Sequence, residues 1–243
     1  MYIIHKIPMN ERQFINTIKE HNLGIITIPD TSRIINKNRK YTALYLKRLE
    51  KRKIIKRIEK GKYTLQDTPP KVIASNLITP SYISFLSGLS HYHLTTQIPR
   101  ITQIATTKSK KRINYEDQKI QFIKLKKIFG YNREKTQFGY IFIGEKEKII
   151  IDSLLLPKYC PINETINAIK ETKLDVKKLI DYAQKMNSIV LIKRLGYSLE
   201  LNNINIYQKV KKSLNKRYDL LNPNLPPTNK KNTKWKLKIN EVL

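Results

Sequence analysis

The sequence predicts an α+β fold, and three observations carry that reading. Apolar residues recur at helical spacing over residues 10–22 and 38–52. Between residues 101 and 143 they alternate instead, as half-buried strands do. From Glu145 onward the period becomes helical again and stays so through several segments.

Taken in order, residues 10–22 form an amphipathic helix with Asn10 as its N-cap and Phe14, Ile15 and Ile18 as the buried stripe. Asn22-Leu23-Gly24 ends it, residues 24–28 form a short β-branched strand, and Pro29 closes that strand. Asp30 or Thr31 caps a short helix holding Ile34 and Ile35. A turn at residues 36–38 leads into a basic helix over 38–52, with Thr42, Tyr45, Leu46 and Leu49 on its inner face. Residues 54–58 and 63–65 then read as two strands joined through Gly61. Helix, strand, helix, turn, helix and hairpin in this order make a winged helix-turn-helix. The fold class is therefore α+β: an N-terminal winged helix-turn-helix, then a domain with a small, mostly antiparallel sheet and a C-terminal helical bundle.

Asp67-Thr68-Pro69-Pro70 marks a boundary, because paired prolines neither continue a strand nor sit inside a helix. Residues 71–77 form a short helix, and Thr79-Pro80-Ser81 precedes a second one that runs to about His91, with Ile83, Leu86 and Leu89 inside and Gly88 permitting close approach of a neighbour. Strands follow at 101–107, 120–128 and 140–143, and helices at 149–156, 163–171, 175–186 and 188–201. Gly196 interrupts the last of these, where a core neighbour comes close. Residues 205–221 read as another, basic helix. The domain limits are 1–67, 71–221 and a mobile basic tail at 222–243, with pairing of Trp235, Leu237 and Ile239 as an end strand the alternative for that tail.

The 243 residues hold 48 Lys+Arg against 19 Asp+Glu, a formal net charge of +29. So large a positive charge attracts polyanions, nucleic acid first and acidic membrane next. A codon bias toward Ile, Lys and Asn would also raise lysine, but it would not concentrate cations on structured elements. Residues 37–63 carry twelve Lys/Arg against Glu50 and Glu59, and their apolar residues remain periodic. On the outer side of the basic helix, Arg39, Lys40, Tyr41, Lys47 and Arg48 are the candidates for phosphate and base contact. Arg57, Lys60 and Lys62 sit where a wing would meet the phosphate backbone. Lys108-Ser109-Lys110-Lys111-Arg112 adds Lys110, Lys111 and Arg112 as a second phosphate contact, or else forms a solvated hairpin tip.

Enzymatic signatures are missing. Seven glycines stand singly, so the chain has neither a phosphate-binding loop nor a dinucleotide fingerprint. His91 and His93 lack a third metal ligand at a recognisable spacing. Asp117, Glu145, Glu147 and Asp152 lack the acid–lysine arrangement of a nuclease site, and Asp152 falls on an apolar helix, where a structural salt bridge or a cap is the expectation. Cys160, the single cysteine, excludes an internal disulfide and is expected to pack. No apolar run is long enough to span a bilayer. The expectation is a cytoplasmic protein that is not an enzyme and takes no cofactor or metal.

Three stretches together resemble the AbiEi-type antitoxin transcriptional regulators. They are the segment from about Phe14 to Leu65, the run from Pro80 through His93-Leu94-Thr95-Thr96-Gln97-Ile98-Pro99, and Ile143-Gly144-Glu145-Lys146-Glu147-Lys148-Ile149-Ile150-Ile151-Asp152, with Arg194-Leu195-Gly196-Tyr197 further on. The resemblance covers most of residues 10–201. It implies an N-terminal domain that binds double-stranded operator DNA, often inverted repeats, as a monomer or homodimer and represses its own operon. It also implies an α+β domain that counters a nucleotidyltransferase-like toxin. The chain departs from the family pattern at Gly144 and Lys148-Ile149 and after Asn202. Beside this stands a second reading, a non-specific nucleic-acid or chromatin-type binding protein whose charge is spread over loops and tail.

Overall fold

In the computed structural model, which describes residues 9–242, the chain is α+β and divides into two compact units. The first comprises the described residues up to Thr79 together with Arg133–Phe142; the second comprises Pro80–Asn132 and the described residues from Ile143 on. The paired prolines at 69–70 therefore lie inside the first unit, not at its edge.

The first unit opens with α1 (Glu11–Glu20), started by Asn10, whose side chain and that of Gln13 cap each other's backbone N–H groups. Strand β1 (Ile26–Thr27) leads directly into α2 (Ile28–Ile35), whose N-cap is Thr27, not Asp30 or Thr31; Pro29 sits in its first turn, where no N–H is needed. Asn36 takes the left-handed conformation that stops α2. Two residues later Asn38 accepts from the Tyr41 N–H at 2.9 Å and starts α3 (Arg39–Lys51). Strands β2 (Ile55–Glu59) and β3 (Lys62–Leu65) form an antiparallel hairpin turning at Lys60-Gly61, with Gly61 at a φ of 76°. β1 adds to β3, giving the order β1-β3-β2.

These elements share one core. Phe14 and Ile18 of α1, Ile26 of β1, Leu46 and Leu49 of α3, and Ile55, Tyr63 and Leu65 of the hairpin are all buried. Helix α4 (Pro70–Asn76) completes the described chain of this unit before Thr79. Asn76 donates to the carbonyl of Tyr140 at 2.7 Å, which fastens residues 133–142 to the same unit.

The second unit begins with β4 (Ser81–Ile83) and α5 (Phe85–His91), followed by β5 (Ile101–Thr106), β6 (Ile113–Tyr115) and β7 (Gln118–Lys124). Next along the chain come hairpin strands β8 (Tyr131–Thr136) and β9 (Gly139–Gly144), of which Arg133–Phe142 are counted with the first unit, and the strand order is β6-β7-β5-β4-β9-β8. This sheet is mixed: β6 and β7, and β4 and β5, pair antiparallel, while β5 runs parallel to β7 and β4 parallel to β9. The β5–β7 pairing is parallel because the connection at residues 107–112 skips the position of β7 and places β6 on the far side of it, so those residues are a crossover and not a hairpin tip.

Five helices follow: α6 (Lys146–Leu155), α7 (Ile162–Glu171), α8 (Val176–Met186), α9 (Ile189–Glu200) and the one-turn α10 (Tyr207–Val210). α6 is the centre of the helical layer, with every residue from Lys148 to Leu154 buried. Its Asp152 makes the expected salt bridge, to Lys148 one turn earlier, and accepts from Tyr82 Oη at 2.7 Å and Ser84 Oγ at 2.8 Å. Gly88 lies against α6 as expected; a Cβ there would meet Ile149 at 2.6 Å.

Two expectations fail at the C-terminus. The basic helix over 205–221 is only α10 and a 3-10 turn at Lys211–Ser213, after which β10 (Asp219–Leu220) begins. The segment expected as a mobile tail folds into β11 (Lys231–Asn232) and β12 (Leu237–Lys238), giving the sheet β10-β12-β11. Its anchor is Trp235, fully buried over Gly196, where a Cβ would lie 2.1 Å from the indole. That clash distance explains the glycine in the middle of α9.

Candidate nucleic-acid interface

α3 is amphipathic in an unusual sense: one face is core and the other is nearly all cation. Successive residues turn about 100° around a helix, so Lys40, Leu44, Lys47 and Lys51 align in one row, with Arg48 and Tyr41 along one side of it. All six are exposed. Leu44 keeps 47% of its surface in water at the centre of that row. Leu44, Lys47, Arg48, Glu50 and Lys51 line a shallow depression of about 430 Å³. On the opposite face Thr42, Leu46 and Leu49 are buried, and the Thr42 hydroxyl is satisfied by the Asn38 carbonyl at 2.9 Å. Phe14 meets Tyr45 edge-on with centroids 5.4 Å apart, which fixes the rotation of α3 against α1.

Among the described residues, none of Lys40, Lys47, Arg48 and Lys51 has an acidic partner within 4 Å. The cations bordering the helix behave differently. Arg52 is paired with Glu11, and Lys62 with Glu59 at 2.8 Å and with the carbonyl of Leu77 at 2.7 Å. The row on α3 is thus an uncompensated strip of positive charge on a rigid element. Fixed like charges repel one another, and a polyanion relieves that repulsion.

The sequence-predicted residues divide accordingly. Lys40, Tyr41, Lys47 and Arg48 come together on the α3 face. Arg39 is exposed but lies to the side, roughly 100° from Lys40. Arg57 and Lys60 are exposed on the β2–β3 hairpin of the same unit. Lys62 is engaged in holding that hairpin to the end of α4. Lys110, Lys111 and Arg112 belong to the second unit, in the crossover before β6, with Lys110 Nζ 5.7 Å from the Phe122 ring. Sequence reasoning missed Leu44 and Lys51. Both fall three or four residues from Lys47, so a helical projection of residues 39–51 would have found them.

Of the acids considered for metal chemistry, Glu145 and Glu147 both lie against Lys178 and the others stand apart. Asp117 is exposed, and Asp152 is consumed by Lys148 and two hydroxyls. Burial pushes the Glu145 carboxyl up, but hydrogen bonds from Lys178 and Tyr182 outweigh it and hold the group below its ordinary range. Glu147 accepts from the Asp175 backbone at 3.0 Å. Among the described residues no group of three His, Cys, Asp or Glu side chains is placed to hold a metal ion. Cys160 is buried, and burial pushes its thiol up to about 11, as for a packing residue and not a nucleophile. No helix among the described residues is long and apolar enough to cross a membrane.

No family model matches the chain, and none of the curated proteins matches it.

Proposed function

We propose that the first unit is a winged helix-turn-helix module and that the protein is a double-stranded DNA-binding transcriptional regulator of the AbiEi-antitoxin kind, repressing its own operon. The observation that carries the reading is the unpaired row Lys40, Leu44, Lys47, Lys51 with Arg48 beside it, on a helix that follows another after a three-residue turn. A helix so placed enters the major groove, where Lys and Arg meet guanine edges or phosphates. Leu44, an apolar side chain among cations, suits the thymine methyl. Arg57 and Lys60 on the hairpin fit phosphate contacts beside the groove. The antitoxin half of the reading rests on the second unit and the residues of the resemblance. Its partner would be a nucleotidyltransferase-like toxin encoded alongside.

The test is nuclease protection of the DNA upstream of the protein's own reading frame, with excess unrelated duplex present. A single protected block is the expected result. Uniform weak protection that follows protein concentration would favour the non-specific nucleic-acid or chromatin-type reading instead. Co-expression with the adjacent reading frame tests the antitoxin half separately.

A further inference from the structure

The C-terminal sheet carries a second concentration of cations that the first unit's role does not use. Between residues 209 and 238 the sequence has ten Lys/Arg and one acid, Asp219. That acid is taken by Lys193 at 2.6 Å and lies beside Arg217. Glu200 is likewise engaged by Lys234 and the Trp235 indole, and Glu241 by Asn222 at 2.8 Å. Lys231, Lys236 and Lys238 therefore have no acidic partner within 4 Å among the described residues.

Their placement is not that of cations scattered in solvent. Lys231 pairs opposite Lys238 across β11 and β12, so their side chains share one face of the sheet. Lys231 Nζ lies 5.5 Å and Lys236 Nζ 5.3 Å from the centre of the Tyr218 ring, just before β10. Two like charges are thus held beside one half-exposed aromatic ring, on a platform fixed from beneath by Trp235 and by Lys193 and Arg194 of α9. Each ammonium gains a cation–π contact with the ring, and the positive charge gathered around it attracts an anion.

We propose that this face, formed by Tyr218, Lys231, Lys236 and Lys238, binds single-stranded nucleic acid. The lysines take the phosphates, and the Tyr218 ring stacks on a base once a lysine moves aside to its phosphate. Aromatic rings set among cations are the means by which proteins hold single strands without reading sequence. A membrane surface fits less well, because an interfacial element inserts a row of large apolar side chains. Among the described residues from 209 to 240, Leu225 is the only large apolar side chain that is exposed.

The test uses the full chain with a fluorescent thymine oligonucleotide of about twenty nucleotides, a length chosen to exceed common single-strand site sizes. Lys231→Ala/Lys236→Ala/Lys238→Ala should weaken binding about tenfold or more and lower the salt slope of log K by about 2. Tyr218→Leu should weaken it about fivefold or more, and Tyr218→Phe should bind as the parent does. A variant with Lys40, Lys47 and Lys51 replaced by Ala should keep single-strand binding while losing the upstream duplex. Unchanged binding by the C-terminal triple variant or by Tyr218→Leu would overturn the proposal. So would loss of the oligonucleotide in the α3 variant, or an effect of the C-terminal triple variant confined to phosphatidylserine vesicles.

Discussion

Two helices of this protein carry nearly the same four residues and put them to opposite use. In α3 the segment is Leu46-Lys47-Arg48-Leu49, and in α9 it is Ile192-Lys193-Arg194-Leu195. In α3 the flanking leucines are buried and both cations stand in water without an acidic partner. In α9 all four residues are buried. Lys193 Nζ donates to Asn215 Oδ1 at 2.7 Å, to Asp219 Oδ2 at 2.6 Å and to the Arg217 carbonyl, using all three of its protons. Arg194 donates to the carbonyls of Leu154 and Leu220 at 3.0 and 3.1 Å, and burial pulls its guanidinium down to about 10. The lesson is that a Lys-Arg pair on a helix has no fixed meaning. What surrounds it decides whether the charge holds the protein together or faces outward for a partner.

The sharpest way to break this contrast is to remove the lysine from each helix and measure urea unfolding. Lys193→Ala leaves Asp219 and the Arg217 carbonyl without their buried partner and should cost about 3 kcal/mol or more. Next in size is Gly196→Ala, where the new methyl would drive Trp235 out of its seat. A loss of about 1–3 kcal/mol is expected, with reduced tryptophan burial in the emission spectrum. Asn38→Ala removes the side chain that starts α3 and should lower stability by about 1 kcal/mol. It should also weaken duplex binding, since the same turn aims the cationic face. Lys47→Ala should change unfolding by less than about 0.5 kcal/mol, because the side chain supports nothing in the fold. A large destabilisation there would place α3 with α9 and erase the distinction.

Much of the first unit was legible in the sequence because its signals are local. Asn10 is the cap expected, and the stripes of Phe14–Ile18 and Leu46–Leu49 have helical period. The four helices from α6 to α9 were legible for the same reason. Failures came where the deciding contact is remote. β8, Tyr-Asn-Arg-Glu-Lys-Thr, is a polar edge strand with no apolar alternation to reveal it. β4 is continuous in hydrophobicity with the helix after it, and only pairing with β5 and β9 makes it a strand. The C-terminal sheet depends on Trp235 finding Gly196 across almost forty residues, which composition conceals behind lysines and asparagines. At the candidate interface, charge pointed to α3 as a whole, but which cations are free could be read only once Glu11 and Glu59 had been located.

The central claim is that the α3 row meets the phosphates and bases of duplex DNA. Its most direct test is the salt dependence of binding to the upstream duplex, comparing the parent chain with Lys40→Ala/Lys47→Ala/Lys51→Ala at equal folded fraction. If each lysine neutralises one phosphate, the slope of log K against log salt should fall by about 2.7 and affinity at low salt by tenfold or more. An unchanged slope and affinity would contradict the assignment of α3 as the DNA-contacting helix.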